Sequence, residues 1–175
     1  MTSTLISPPA PEADDRRSTI VVGYDGSAPS FSALERGIRL ATVLDTDLLL
    51  VTTWTYPQVE SVTGFGGWSP EQDAQDIVKN VVGKAFPTGA PPWFRAVALE
   101  GQSARILLEQ SKGAEMLIVG SRGHGGFSGL LLGSVSSACA EHADCPVLVM
   151  HGESTRPLAG PSALPLLTSQ PGARA

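Results

Sequence analysis

Short apolar runs recur along the chain, and a segment with helical periodicity follows each of the first four. The run at 47–54 is continuously apolar over 48–51, which is typical of a strand buried on both faces of a parallel sheet. Strands that alternate with helices form parallel sheets with right-handed crossovers and helices on both faces. The sequence therefore predicts the α/β class, as a three-layer open sheet of five parallel strands. We expect the strands at 19–23, 47–54, 94–99, 115–119 and 146–150.

Serine residues mark the starts of three of the predicted helices. Ser27 and Ser69 each precede a proline that falls in the first helical turn, a combination that favours an N-cap at the serine. Ser103 is predicted to cap a third helix over 104–112. A fourth helix is expected to begin near Leu132.

The composition changes sharply at both ends of the chain. All the aromatic residues lie between Tyr24 and Phe127, whereas the two ends contain half of the prolines. Segments without large apolar groups bury too little surface to offset the entropy lost on ordering. We therefore expect disordered tails at 1–17 and 152–175 and a single domain at 18–151.

Charge and hydropathy exclude several classes of partner. The formal net charge is −5, so the chain offers no general attraction to nucleic acid or to an anionic membrane. No apolar run approaches the roughly 18–20 residues of a membrane-spanning helix, and the first residues lack the features of a signal peptide. Two cysteines are too few for a disulfide framework. These features favour a cytoplasmic protein.

The two cysteines allow one further interpretation. Cys139, His142 and Cys145 form a short Cys-x-x-His-x-x-Cys series that contains three possible metal ligands within seven residues, and Asp144 offers a fourth. Structural zinc usually takes its ligands from two separate loops, whereas two of these residues share one predicted helix. We favour buried small thiols, with a metal site as the alternative.

The stretch 116–136 has the pattern strand, glycine loop, helix. Glycines let the backbone approach a ligand closely, and the start of a helix has unpaired amide groups and a partial positive charge. This stretch therefore predicts an anion site of the kind that binds phosphate. Asp25, Thr53 and Gly120 all fall at the carboxyl ends of predicted strands, where open α/β sheets bind ligands. Together these features predict nucleotide binding.

Spacing distinguishes among the known phosphate loops. The sequence contains no Gly-x-x-x-x-Gly-Lys-Ser/Thr, so the P-loop lysine is missing. A dinucleotide-binding fold would have Gly-x-Gly-x-x-Gly after the first strand, where this chain has Gly23-Tyr-Asp-Gly26. The pattern that is present is Gly120-x2-Gly123-x9-Gly133-Ser134.

With this pattern the chain resembles the ATP-binding branch of the universal stress protein family. The resemblance covers 18–151 and includes Val-Val-Gly-Tyr-Asp25-Gly-Ser, Val119-Gly120-Ser-Arg-Gly123 and His142-Ala-Asp-Cys-Pro146-Val-Leu-Val. It implies the strand order 3-2-1-4-5 and ATP in the cleft. It also implies a homodimer that pairs through the last strand, Val147–Met150, and an unidentified client protein.

The resemblance also implies roles for individual residues. Gly23, Tyr24 and Asp25 would line the nucleoside side, and Thr53 would lie near adenine, with Val51 as the alternative. Those expected to hold ribose and phosphates are Val119, Gly120, Gly123, Gly133, Ser134, Val135 and Ser136.

Charge suggests three further assignments. Arg122 and His124 are placed near the phosphates by their charge alone, and exposed loop cations are an equal alternative. Asp25 is a candidate ligand for Mg2+, although a turn residue that bonds its own backbone is the simpler interpretation.

The same residues argue against efficient catalysis. The loop contains no lysine and no evident base for water, and Asp25 is the single metal-binding candidate. The sequence therefore predicts an ATP-binding, nucleotide-dependent stress-response regulator with at most weak ATPase activity. A slow ATP-hydrolysing enzyme and a nucleotide-free protein-interaction module are the alternatives.

Overall fold

The computed structural model describes residues 18–56, 69–123 and 132–152. The described residues form one parallel five-stranded sheet with the order β3-β2-β1-β4-β5, which confirms the predicted fold class and strand order. The strands are β1 Thr19–Gly23, β2 Asp47–Trp54, β3 Phe94–Glu100, β4 Met116–Gly120 and β5 Val147–Met150. The helices are α1 Ala28–Leu44, α2 Pro70–Ala85, α3 Ser103–Gln110 and α4 Ser134–His142. The expectations for the tails at 1–17 and beyond Gly152 concern residues outside those described.

Side chains of each central strand alternate between two cores because successive residues in a strand point to opposite faces. On one face, Ile20, Val22 and the side chains aligned with them pack against α1 and α2. On the other face, Val21 and Val51 pack against α3 and α4. Both faces are covered, which is why the strands contain continuous apolar runs. None of the described helices is both long enough and apolar enough to cross a membrane.

Two of the predicted helix caps are confirmed and the third is wrong. The Oγ atoms of Ser27 and Ser69 each accept a hydrogen bond of 3.3 Å from the backbone amide three residues later, at the starts of α1 and α2. Ser103 is instead the first residue of α3, and Gln102 is the N-cap residue without a side-chain hydrogen bond. The hydroxyl of Ser103 is hydrogen-bonded to the hydroxyl of Thr53 on β2, so it is not used for capping.

The bounds of two helices also differ from the sequence prediction. Helix α3 ends at Gln110, two residues before the predicted end at 112. Helix α4 begins at Ser134, with Gly133 as its N-cap, two residues after Leu132, near which its start is predicted. The extended backbone of Gly133 separates the glycine loop from the helix.

A close contact fixes the first turn of α1 against the end of β4. A Cβ atom placed on Gly120 would lie 2.8 Å from the backbone nitrogen of Ser30 and 2.9 Å from the carbonyl carbon of Pro29. Only glycine permits this approach, because the opposing atoms belong to the backbone and cannot rotate away. The starts of α1 and of the glycine loop therefore lie side by side.

Candidate functional site

A cavity of about 430 Å³ lies beyond the carboxyl ends of β1, β2 and β4. This is the edge where the strand order reverses, since β1 lies between β2 on one side and β4 on the other. Every sequence-predicted site residue that the structure describes lines this cavity. These residues are Gly23, Tyr24, Asp25, Thr53, Val119, Gly120, Arg122, Gly123, Gly133, Ser134, Val135 and Ser136. His124 lies outside the described residues.

Other residues line the cavity that were not assigned to it from the sequence. They are Ser30, Ser103, Leu107 and Leu132, together with Val51, which was considered as an alternative to Thr53. Val51 and Thr53 both line it because residues two apart on a strand share one face. Leu107 is an apolar residue of the predicted third helix, which favours core packing, and Ser103 matches a cap signal, so neither sequence pattern indicates a ligand site.

Asp25 forms the turn that the simpler interpretation predicts. Its Oδ1 atom accepts hydrogen bonds from the backbone amide of Ser27 at 3.0 Å and from the Ser27 hydroxyl at 2.6 Å. The other carboxylate oxygen, Oδ2, faces the Cα atom of Gly123 so closely that a Cβ atom there would overlap it. Asp25 is exposed, so this carboxylate borders both the cavity and solvent. The turn interpretation and a role at the cavity are therefore compatible.

Ser121 and Ser136 hold together the two described ends of the glycine loop. The backbone oxygen of Ser121 accepts hydrogen bonds from the Gly133 amide at 2.7 Å and from the Ser136 hydroxyl at 3.0 Å. The same hydroxyl lies 3.0 Å from the Gly133 carbonyl oxygen. Ser136 is 2% exposed, and its one proton is directed to these carbonyls. Its predicted contact with phosphate stays a prediction.

One end of the cavity has the features of an anion site. The N-cap of α4 is Gly133, which has no side chain to accept from the first amides of the helix, and the amides of the first turn have no intrahelical partner. Ser134 is exposed at this end, and the side chain of Arg122 is exposed beside it. The helix dipole and the guanidinium both favour negative charge here.

Another part of the cavity wall is apolar. This part includes Val51, Leu107 and Val119, each at most 4% exposed. Tyr24 also lines the cavity, and burial, with a smaller contribution from the Asp25 carboxylate, raises the pKa of its hydroxyl. The hydroxyls of Thr53 and Ser103 are 2.7 Å apart, so they form a hydrogen bond between β2 and α3.

A second cavity of about 320 Å³ adjoins the first on the side of β3. The two cavities share Thr53 and Ser103, together with Ser134 and Val135 at the start of α4. Thr55 lines the second cavity but not the first. The hydroxyl pair therefore stands at the boundary between the two spaces.

The metal alternative receives no support from the described cysteines. No group of three or more His, Cys, Asp or Glu side chains that could hold a metal ion occurs among residues 18–56, 69–123 and 132–152. Cys139 is fully buried, and burial, with a smaller effect of Cys145, raises the pKa of its thiol to about 11. A protonated thiol is a poor metal ligand. Cys139 is a buried thiol, as favoured, whereas Cys145 is half-buried.

An open α/β sheet with a cavity at its topological switch point defines a class of ligand-binding proteins. Within this class, the sequence profile of the universal stress protein family matches residues 16–151. The chain belongs to the universal stress protein family.

Individual relatives agree with this membership. Universal stress protein Rv2005c of Mycobacterium tuberculosis is 31% identical over 137 residues, which are 78% of this chain and 46% of the relative. The chain thus spans about half the length of the curated relatives it matches. Universal stress protein UspA from Lactobacillus plantarum has a similar fold, with a TM-score of 0.64, 16% identity, and coverage of 78% of this chain and 99% of that one. A universal stress protein in complex with cAMP has a TM-score of 0.59 and 24% identity, with coverage of 79% and 100%.

Proposed function

We propose that the chain binds an adenine nucleotide, specifically ATP, in the larger cavity and acts as a nucleotide-dependent regulator in the stress response. The main supporting observation is that one cavity combines an apolar wall, at Val51 and Leu107, with the anion-favouring start of α4. A nucleotide has the same division, because its base is planar and largely apolar and its phosphates are charged. The complex of a similarly folded universal stress protein with cAMP supports the choice of an adenine nucleotide.

The phosphates would be held at the anion end by backbone amides of 134–136, the Ser134 hydroxyl and Arg122. About four or five charge-assisted hydrogen bonds at roughly 1.5–3 kcal/mol each, less the several kcal/mol cost of association, correspond to micromolar-scale affinity. A cavity of about 430 Å³ lies within the usual size range for small-molecule sites. Size and chemistry therefore both suit the proposed ligand.

The residues present also fit a Mg2+ ion that accompanies the nucleotide. Mg2+ is commonly bound by one or two carboxylates together with substrate phosphates and water. Asp25 would provide the carboxylate, because it lies between Ser27 at the start of α1 and Gly123 in the glycine loop. Bound Mg2+ would neutralise phosphate charge near this carboxylate. Efficient turnover is not part of the proposal.

The test is a calorimetric titration of ATP, together with mass spectrometry of any nucleotide that copurifies with the protein. We expect micromolar binding by the wild type and weaker binding by Arg122→Gln, since Arg122 lines the cavity and its positive charge favours phosphate. Arg95→Gln is the matched control, because Arg95 is an exposed arginine on β3 that does not line the cavity. Absence of ATP binding by the folded wild-type protein would refute the proposed function.

The regulator role adds an unidentified client protein whose binding depends on the nucleotide. The proposal also includes a cytoplasmic location, which the low cysteine content favours. Pull-down experiments with and without ATP would detect such a client. Equal recovery under both conditions would contradict nucleotide dependence.

We further propose a homodimer that pairs through β5. This strand lies at the edge of the described sheet, and its four residues are all half-buried. The carbonyls of Pro146 and Met150 bond to amides of Leu117 and Ser121 on the β4 side. In a parallel ladder the backbone groups alternate in direction, so those of Val147 and Val149 face the open edge. An apolar open edge favours pairing with a second copy.

Sedimentation equilibrium tests the dimer. Val149→Pro removes an amide that faces the open edge, so we expect this variant to be a monomer. Val149→Ala shortens the same side chain but keeps the amide, and should remain a dimer. A monomeric wild type at micromolar concentration would contradict pairing through β5.

A further inference from the structure

Ser27 does not line the larger cavity, yet it contacts both of the charged residues that do. Among the residues that the structure describes, Asp25 and Arg122 are the charged members of the cavity wall. The hydroxyl of Ser27 donates to Oδ1 of Asp25 at 2.6 Å and lies 3.4 Å from the backbone oxygen of Arg122. Because Ser27 is not itself part of the wall, any effect that it has on a ligand must pass through these neighbours.

Hydrogen bonds in both directions join Asp25, Ser27 and Ser30 at the start of α1. The Ser27 hydroxyl oxygen accepts from the Ser30 amide at 3.3 Å, and the Ser30 hydroxyl donates to the Ser27 carbonyl at 2.9 Å. The amide of Ser27 donates to Oδ1 of Asp25 at 3.0 Å, and the amide of Asp25 lies 3.4 Å from the Ser30 hydroxyl oxygen. Ser30 is 3% exposed. The exposed carboxylate is therefore connected through Ser27 to a buried residue of α1.

The single hydroxyl proton of Ser27 has two acceptors within reach and can be donated fully to only one. The distance of 2.6 Å to Asp25 is typical of a hydroxyl that donates to a carboxylate, whereas 3.4 Å to Arg122 is long for such a donor. The proton is therefore directed to the carboxylate. With Oδ1 held in this way, Oδ2 faces Gly123 in the glycine loop.

Helix capping does not require this donation. A cap uses only the acceptor capacity of the serine oxygen. Ser69 makes the same cap at the start of α2, where its hydroxyl oxygen accepts from the Gln72 amide at 3.3 Å, and it does not line the larger cavity. The cap of α1 therefore accounts for the acceptor side of the Ser27 hydroxyl and leaves its donor side unexplained.

We propose that Ser27 is a positioning residue of the nucleotide site, whose hydroxyl holds the Asp25 carboxylate in the cavity wall before the ligand binds. An exposed aspartate side chain otherwise samples several rotamers, and ordering it during binding lowers the affinity. A hydroxyl that orders the carboxylate beforehand removes part of this cost. This inference rests on the proposed nucleotide function and assigns part of its affinity to a residue outside the wall.

The test is a calorimetric titration of ATP, with Mg2+ present, into the full chain and into Ser27→Gly and Ser27→Thr. Glycine and threonine are N-caps of similar quality and both adopt the extended backbone of Ser27, but only threonine keeps a hydroxyl. We expect the Kd of Ser27→Gly to be at least about threefold higher than that of the wild type and that of Ser27→Thr, the effect of one lost hydrogen bond. A smaller difference from either protein overturns the inference.

Two controls separate positioning from capping. Ser69→Gly makes the same exchange at the cap of α2 and should bind ATP as the wild type does. In a chain that already contains Asp25→Ala, Ser27→Gly should raise the Kd by less than about threefold, because the carboxylate that it holds is absent. Urea denaturation of each variant checks that it is folded. Weaker binding by Ser69→Gly, or a threefold effect of Ser27→Gly without Asp25, would overturn the inference.

The results also distinguish this inference from the proposed function. Micromolar binding by the wild type with equal Kd values for Ser27→Gly and Ser27→Thr overturns the positioning role and leaves nucleotide binding intact. Absence of ATP binding by the folded wild type overturns the proposed function and this inference together.

Discussion

The contact between Gly123 and Asp25 makes a specific prediction about nucleotide affinity. A Cβ atom on Gly123 would overlap the Oδ2 atom of Asp25, while no other neighbour lies as close. Gly123 is absent from the described residues with positive φ, so alanine is compatible with its backbone conformation. Gly123→Ala should therefore act mainly by displacing one carboxylate.

The displacement has a cost that can be worked out from the contacts. To rotate away, the carboxylate of Asp25 must weaken its hydrogen bonds with the Ser27 amide at 3.0 Å and the Ser27 hydroxyl at 2.6 Å. Because Asp25 is exposed and water replaces part of each bond, we expect the free energy of unfolding to fall by about 1 kcal/mol. If the carboxylate contributes one charge-assisted contact to the bound ligand, its loss costs about 1.5–3 kcal/mol, or about 10- to 150-fold in Kd.

Calorimetric titrations of ATP with four proteins test this reasoning: wild type, Gly123→Ala, Asp25→Ala and the double variant. If Gly123→Ala acts through the carboxylate, it should cost little once Asp25 is already alanine. Gly83→Ala is the matched control, because a Cβ there meets nothing within 4 Å. Wild-type affinity in Gly123→Ala, or fully additive effects in the double variant, would refute the proposed coupling.

Three further predictions concern stability and the loop. Ser134→Ala should weaken ATP binding without changing the urea midpoint, whereas Ser136→Ala should lower the free energy of unfolding by about 1–2 kcal/mol, because it removes a buried donor to two carbonyls. Gly120→Ala should destabilise by about 1–3 kcal/mol in urea denaturation, since its Cβ would meet backbone atoms of α1. Burial raises the pKa of Cys139 from 9.0 to about 11, so above pH 9.0 the unfolded state loses this proton first and stability falls as pH rises. The slope is at most about 1.4 kcal/mol per pH unit, and Cys139→Ala should remove this contribution, whereas an unchanged slope would contradict the assignment.

Local patterns in the sequence were sufficient to predict the sheet. The continuous apolar run at 47–54 and the caps at Ser27 and Ser69 depend on neighbouring residues, and the structure has β2, α1 and α2 at these positions. The spacing of the glycines is also a local pattern, and the structure has Gly120 and Gly123 in the cavity wall, as this spacing predicts. Such features are predictable because their physical causes lie within a few residues.

The features that sequence reasoning missed depend on distant residues. The cap prediction for Ser103 failed because a hydroxyl on β2 competes for its side chain, and no local pattern reveals that partner. Leu107 has the apolar side chain expected of a core residue, yet it lies in the core and also lines the cavity. For Ser103 and for Leu107 alike, residues distant in the sequence determine which contacts the side chain makes.

The residues that line the cavity are far apart in the sequence, and this has a consequence for folding. Its wall draws residues from positions 23 to 136, and β1 is paired with β4 through Val21 and Leu117. No short fragment contains the wall, so the cavity forms only when the central strands have assembled. A ligand that binds only this state stabilises the whole domain, by about 2.7 kcal/mol at a free concentration one hundred times its Kd. Melting temperature and amide exchange in the sheet should therefore both respond to ligand, even at amides far from the cavity.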